Sequence, residues 1–103
     1  MIIRTWKGCT PPENANRYED LLRTEIFPGI RSKNIAGLRG IELLRKDNET
    51  EAEFMTIFRF DNLDSVRQLA GENYRTAYVP ESARKVLSRF APQAQHYEVR
   101  DVG

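Results

Sequence analysis

The stretch from Glu51 to Gly71, EAEFMTIFRFDNLDSVRQLAG, predicts a β-strand that runs directly into an α-helix. In its first half two sets of alternate positions point to opposite sides of the strand. One set is Ala52, Phe54, Thr56, Phe58 and Phe60, and the other is Glu51, Glu53, Met55, Ile57 and Arg59. Beyond the two glutamates, both sets are mostly apolar. A strand with one face in water should alternate apolar and polar residues, so this strand must be covered on both faces.

The residues before this stretch predict a strand, a helix and a second strand. Ile2 to Lys7 form the first strand, and Thr10 caps a helix with Pro11 at its first position. Pro28-Gly29 should break or bend this helix. Its buried stripe is Ala15, Tyr18, Leu21, Leu22 and Ile26. Gly37 opens the second strand, which pairs as a hairpin with the next one across a turn at Asp47 and Asn48.

After the central strand, Asp61 is expected to cap a helix that Gly71 closes. The segment ENYRTAYVP, residues 72–80, is expected to be a loop. Pro80 starts a third helix and Pro92 stops it, while residues 95–102 form the last strand. The apolar residues of that third helix are Ala83, Val86, Leu87 and Phe90.

This order of strands and helices predicts the α+β class with a ferredoxin-like βαββαβ arrangement, an antiparallel four-stranded sheet with helices on one face. We expect one such domain over residues 1–103. Two helices cannot cover both faces, and Ile41 and Leu43 are expected to oppose Leu38 and Leu44. We therefore predict a homodimer whose sheets face each other, with no stable monomer, because leaving four large side chains wet would forfeit roughly 1.5–3 kcal/mol each.

Composition narrows the classes of function. The chain has 103 residues, 40% hydrophobic residues and a formal net charge of +1, which is ordinary for a globular protein and favours no charged partner. No apolar run approaches the ~20 residues that span a bilayer, so we expect no membrane association and a cytoplasmic location. The single cysteine, Cys9, excludes an internal disulfide, and with one histidine, His96, a metal site is not expected.

Nucleic-acid binding is disfavoured as well. RNA-recognition domains share this order of elements, and five basic residues surround the second strand. These are Arg31, Lys33, Arg39, Arg45 and Lys46. However, the RNA-binding strand signature begins with Lys/Arg-Gly-Phe, whereas this chain has Ala52-Glu53-Phe54. This segment thus carries an acidic residue, whereas the RNA-binding signature carries a basic one.

Over nearly its whole length the sequence resembles the antibiotic biosynthesis monooxygenase domains of the dimeric α+β barrel superfamily. The resemblance is carried by Trp6 in an early strand, the helix over residues 18–28, Gly37, the Phe60 to Gly71 pattern F-x-x-L-x-x-V-x-x-x-A-G, and HYEV at residues 96–99. It implies oxidation of a small aromatic or quinol compound by molecular oxygen without a metal or organic cofactor. Haem-degrading relatives carry a histidine ligand after the second helix, where this chain has none.

The resemblance and the residue types together define the candidate site, an aromatic pocket with polar tips. The expected catalytic residues are His96, Tyr74 and Tyr78, with His96 as a base because an ordinary histidine pKa lies near neutrality. The expected substrate-binding residues are Trp6, Tyr18, Phe58, Arg59 and Asn73.

Alternatives stay open from the sequence. The chain could be a non-catalytic dimer that binds a small ligand, Trp6 could be plain core, and Tyr74 and Tyr78 could only cap the barrel. Cys9 lies before a helix and two residues after Lys7, which favours a thiolate and a Cys9/His96 pair, although simple packing of Cys9 is the more common case.

Overall fold

The computed structural model describes all 103 residues and has an antiparallel sheet with its helices on one face. The sheet order is β2-β3-β1, and both β4 and β5 pair with the outer side of β1. The strands are β1 (Ile2–Thr10), β2 (Leu38–Asp47), β3 (Ala52–Phe60), β4 (Arg89–Phe90) and β5 (Gln95–Glu98). The α-helices are α1 (Ala15–Leu21), α2 (Phe27–Arg31), α3 (Leu63–Ala70) and α4 (Glu81–Arg84). The predicted ferredoxin-like fold is confirmed, but the sheet has five strands and not the predicted four, because β4 is added beside β1.

The two faces of the sheet differ in what covers them. On the covered face, four side chains of β3 are no more than 8% exposed and pack against residues of the helices and of the segment that follows α3. These are Ala52, Phe54, Phe58 and Phe60. On the open face, Met55 and Ile57 are only half-buried and Arg59 is exposed. The period-two alternation of the sequence thus separates a hydrophobic core that is buried from a second apolar surface that remains partly exposed.

A β-bulge corrects one expectation about the faces. The register between β2 and β3 shifts between Leu38 and Gly40, so that Leu38 pairs with Phe60 and Ile41 with Phe58. Because an extra residue reverses the alternation, Leu38 lies on the covered face with Ile41 and does not oppose it. The apolar residues of the open face are Ile3, Leu44, Met55, Ile57 and Tyr97.

The first helical segment is longer than expected. Its predicted stripe is confirmed, but Pro28 does not end it. A π-helical turn over Leu22–Ile26 precedes the proline, with the Phe27 N–H donating to the Leu22 carbonyl five residues back, and the helix continues to Arg31. The wider turn accommodates a residue that has no N–H to donate. Thr10 does not cap this segment, since it is the last residue of β1 and pairs with Ala52.

Two other predicted boundaries are wrong. Asn62, and not Asp61, caps α3: its Oδ1 accepts the Ser65 N–H at 3.0 Å, while Asp61 accepts two hydrogen bonds from Arg39. Gly71 closes α3 as predicted, with φ of 82°. The third helix ends at Arg84, so the predicted helical positions of Val86, Leu87 and Phe90 are wrong. Phe90 instead extends the sheet as part of β4, opposite Gly8.

Two smaller observations complete the fold. The last strand ends at Glu98, short of the predicted Val102. None of the helices has the length and apolar character needed to cross a membrane.

Candidate functional site

A cavity of about 420 Å³ lies between the covered face and the helical segments. Its lining comes from β1, β3, the α1–α2 segment and residues 69–83, and 13 of the 19 lining residues are hydrophobic. Natural small-molecule sites have this size and this mostly apolar character. Its walls come from elements that pack on the same sheet face, so the cavity is formed by the packing of the fold itself. Its volume suits a small aromatic molecule.

The aromatic walls include three of the predicted substrate-binding residues and one predicted catalytic residue. Trp6, Tyr18 and Phe58 line the cavity, and Tyr78 lines it while 86% exposed. The Trp6 indole N–H donates to the Ala91 carbonyl at 2.8 Å. Because this fixes the ring and consumes its only donor, Trp6 offers the cavity an apolar surface.

Tyr18 provides the buried polar tip of these walls. It is 1% exposed and its ring meets Phe54 edge-on at 4.9 Å. Burial raises the pKa of the Tyr18 hydroxyl well above its ordinary value. The hydroxyl therefore stays protonated at neutral pH and can donate a hydrogen bond, but it cannot serve as a base.

Arg4 is a charged residue of the cavity lining that sequence analysis did not identify. It pairs with Phe58 across the sheet and therefore lies on the covered face, where it lines the cavity. Its Nη1 donates to the Tyr74 carbonyl and to His96 Nε2, the latter at 2.9 Å. A signal was available: Arg4 alternates with Ile2 and Trp6, so the period-two pattern already placed a charge at an inward position.

His96 lies behind Arg4 and has different chemistry from that expected. Burial, followed by the charges of Arg4 and Arg75, lowers the pKa of His96 to about 4. A guanidinium can only donate, so Nε2 is the accepting nitrogen and the proton of this neutral ring is on Nδ1. The expectation of a pKa near neutrality is therefore wrong. A ring whose lone pair already binds Arg4 is a poor general base.

Tyr74 belongs to the same group of side chains. Its ring meets His96 edge-on at 5.0 Å, and the guanidinium groups of Arg67 and Arg75 lie 5.6 and 5.8 Å from the ring centroid. The Tyr74 backbone carbonyl, and not its hydroxyl, contacts Arg4. Tyr74 and His96 thus hold Arg4 from the side away from the cavity.

Two predicted site residues lie elsewhere. Arg59 is on the open face, where its Nε donates to Glu42 at 2.9 Å. Asn73 is exposed in the turn that follows α3. Neither lines the cavity.

The Cys9/His96 pair is not formed. Cys9 is opposite Glu53 on the open face, whereas His96 is opposite Arg4 on the covered face. Cys9 is 4% exposed, and burial raises the pKa of its thiol, which argues against the expected thiolate. Nor do three or more His, Cys, Asp or Glu side chains come close enough together to hold a metal ion.

Solved structures that are similar to this chain include two that match over nearly its whole length. A Bacillus cereus protein whose name assigns it to the antibiotic biosynthesis monooxygenases matches with a TM-score of 0.68 at 16% identity, over 99% of this chain and 95% of that protein. Rv0793 from Mycobacterium tuberculosis matches with a TM-score of 0.66 at 18% identity, over 98% and 96% of the two chains. No family sequence model and no curated protein sequence matches. At these identities the likeness establishes the fold: this chain has the fold of the B. cereus protein from end to end.

Proposed function

We propose that the protein is a cofactor-independent monooxygenase that oxidises a small aromatic or quinol compound with molecular oxygen. The observation that carries the proposal is the mostly apolar cavity of about 420 Å³ with Trp6, Tyr18 and Phe58 in its walls. The name of the B. cereus relative and the family resemblance of the sequence support the same class of reaction.

The reaction class needs little chemistry from the protein. An anthrone-type ring carries a CH₂ group: dioxygen places one oxygen atom there as a carbonyl, and the other oxygen leaves as water with the two hydrogens. The substrate supplies all the electrons, so no external reductant is consumed. What the cavity contributes is exclusion of bulk water, orientation of the ring by aromatic walls, and a few hydrogen bonds to its oxygens.

The proposed roles follow the placement of the residues. Trp6 and Phe58 hold the ring, and Tyr18 donates a hydrogen bond from the cavity wall. Tyr78, at the exposed edge of the cavity, is the predicted catalytic residue best placed to contact substrate. His96 and Tyr74 act through Arg4 as positioning residues.

The activity test compares oxygen uptake on hydroxylated anthrones, naphthols and quinols. Ala70→Phe adds a ring to the cavity wall and should abolish uptake, while Tyr78→Phe, which removes one hydrogen-bonding group, should lower it by about tenfold. Arg23→Met, an exposed change on the helical segment, is the control. Uptake that is insensitive to both cavity variants would contradict the proposal. Binding without uptake by the wild type would favour the second candidate, a non-catalytic ligand-binding protein, which the same cavity supports.

We also propose that the open face binds a second copy of this chain. Its apolar residues are partly exposed, with Leu44 at 46% and Tyr97 at 58%. Most charges around them form pairs within the chain, including Arg59–Glu42, Lys46–Glu53 and Arg89–Glu51, while the exposed Lys7 opposite Met55 is in no ion pair. An apolar surface that carries little net charge can pack against a copy of itself, as a two-fold interface requires.

Sedimentation equilibrium of the wild type and of Ile57→Lys tests this assembly. The wild type should sediment as a dimer at micromolar concentration, and a lysine at the centre of the open face should weaken the dimer by a hundredfold or more. Val102→Lys, at a position that is 84% exposed near the end of the chain, should leave the dimer unchanged. A folded wild-type monomer at micromolar concentration would overturn the proposed dimer.

A further inference from the structure

The charge of Arg4 has no carboxylate partner. Buried or half-buried arginines are normally paired, because removing a charge from water is costly. All ten ion pairs of the structure involve other residues. The two groups that Arg4 does contact, the Tyr74 carbonyl and the His96 imidazole, are neutral. The positive charge is therefore held in position without being neutralised.

The two neutral partners also leave most of the guanidinium free. Both accept from Nη1, and neither Nε nor Nη2 makes a hydrogen bond within the protein. These two remaining nitrogens form the planar fork that binds two oxygens, or one oxyanion, most strongly. Because Arg4 lines the cavity, a ligand that occupies it lies next to a side chain whose Nε and Nη2 have no partner within the protein.

The other charged groups near the cavity do not cancel this charge. Lys33 and Glu25 line it from the helical side, where both are exposed. Arg75 lies behind, next to His96, and adds positive charge on that side. The interior of the cavity is thus electropositive at one point, beside apolar aromatic walls.

We infer that the cavity binds its aromatic ligand as an aryl oxyanion, with the ionised ring oxygen on the free side of the Arg4 guanidinium and with His96 and Tyr74 as positioning residues. The inference rests on the proposed function and adds to it the residue that binds the ionised ring oxygen. A phenolate is the electron-rich form of the ring that reacts with dioxygen. Arg4 would therefore stabilise the reactive form once the ring hydroxyl has lost its proton to water.

The sign of one measurable quantity separates this arrangement from an ordinary apolar pocket. An apolar cavity disfavours the charged form and raises the pKa of a bound phenol, whereas a cation within hydrogen-bonding distance lowers it by roughly 1–3 pH units. The probe is 4-nitro-1-naphthol, whose absorption spectrum reports its ionisation directly. Spectrophotometric pH titration, free and with excess protein, gives the two pKa values.

In the wild type we expect the pKa of the bound naphthol to fall by at least one pH unit. Arg4→Met, which keeps the length of the side chain and removes the charge, should abolish the decrease and weaken naphtholate binding by about tenfold to a hundredfold. Affinity for the methyl ether of the probe, which cannot ionise, should stay the same in this variant. His96→Gln keeps an acceptor for Arg4 and should retain more of the decrease than His96→Leu. Arg23→Met is the control.

A bound pKa that is unchanged or raised in the wild type would overturn the inference, as would an equal decrease in Arg4→Met. Thermal unfolding of each variant verifies that it is folded under the assay conditions. The outcomes also separate this inference from the proposed function. A lowered naphthol pKa without oxygen uptake on any substrate supports the oxyanion site and rejects the oxygenase, and uptake without a lowered pKa does the reverse.

Discussion

The two faces of the sheet differ in how completely their apolar side chains are buried. On the covered face, Phe54 and Phe60 are at most 1% exposed, and the helices that bury them leave a cavity beside Trp6. On the open face, one residue away along the same strand, Met55 and Ile57 remain half-buried. The difference shows that the chain completes one core by itself and leaves a second apolar surface partly exposed, and the cavity lies on the side of the completed core.

The arginines of the two faces also differ in whether they have a charged partner. On the open face Arg59 is paired with Glu42, an exposed ion pair of the kind that contributes little to stability. On the covered face Arg4 has neutral partners only, although pairing is more valuable there. The absence of a carboxylate partner at this inward position supports the binding role proposed for Arg4, and no such role is proposed for Arg59.

The largest difference between the faces should appear when neighbouring residues are truncated. Phe54→Ala should cost about 3–5 kcal/mol of unfolding free energy at any protein concentration, because its ring fills the core against Tyr18. Met55→Ala should cost less than about 2 kcal/mol, and the loss should depend on protein concentration because the proposed dimer covers this side chain. Urea denaturation at two protein concentrations measures both. Equal, concentration-independent losses would mean that the two faces are equivalent.

The same substitution on the two faces provides a second, smaller contrast. A Cβ at Gly8 would lie 2.9 Å from the Trp6 ring, so Gly8→Ala should displace that ring and cost about 1–3 kcal/mol. A Cβ at Gly40 would meet only the Arg59 side chain at 3.7 Å, and Gly40→Ala should change stability by less than about 0.5 kcal/mol. Trp6 fluorescence together with denaturation distinguishes the two. A neutral Gly8→Ala would show that the Trp6 wall is not fixed.

The smallest effect concerns pH and the covered face alone. The pKa of His96 is lowered to about 4 in the folded protein from 6.5, so the unfolded chain binds the extra proton between these values. Stability should therefore be full above about pH 6.5 and fall as the pH decreases. Because the ring is only partly buried, solvent screening reduces the loss, which should be about 1 kcal/mol between pH 7 and pH 5. His96→Gln should lack this component, and an identical pH dependence in the variant and the wild type would exclude His96 as its source.

Much of this fold could be predicted because it follows from short-range patterns in the sequence. The period-two pattern of residues 51–60 defines the central strand and its two apolar faces, and the order of strands and helices defines the ferredoxin-like sheet. Features that depend on geometry between elements could not be predicted. The bulge that turns Leu38 inward and the π-helical turn that carries the chain through Pro28 are both departures from regular spacing.

The candidate site was predictable in part for the same reason. Its aromatic walls follow from residue type, and Trp6, Tyr18, Phe58 and Tyr78 do come together. The cavity itself is the volume that remains after packing, which no local pattern encodes. The state of His96 depends on Arg4, 92 positions away in sequence and adjacent only because β5 pairs with β1. A role for Arg4 could not be predicted, because the sequence does not show that a cavity lies next to this inward position of the first strand.

The most direct test of this account is to determine whether a bound aromatic ligand lies on the covered face or on the open face. An NMR titration of the isotope-labelled protein with 4-nitro-1-naphthol should shift the Trp6 indole resonance and the backbone amides of Arg4, Thr56 and Ala77, which belong to residues that line the cavity. Shifts confined to Ile3, Met55, Ile57 and Tyr97 on the open face would contradict it.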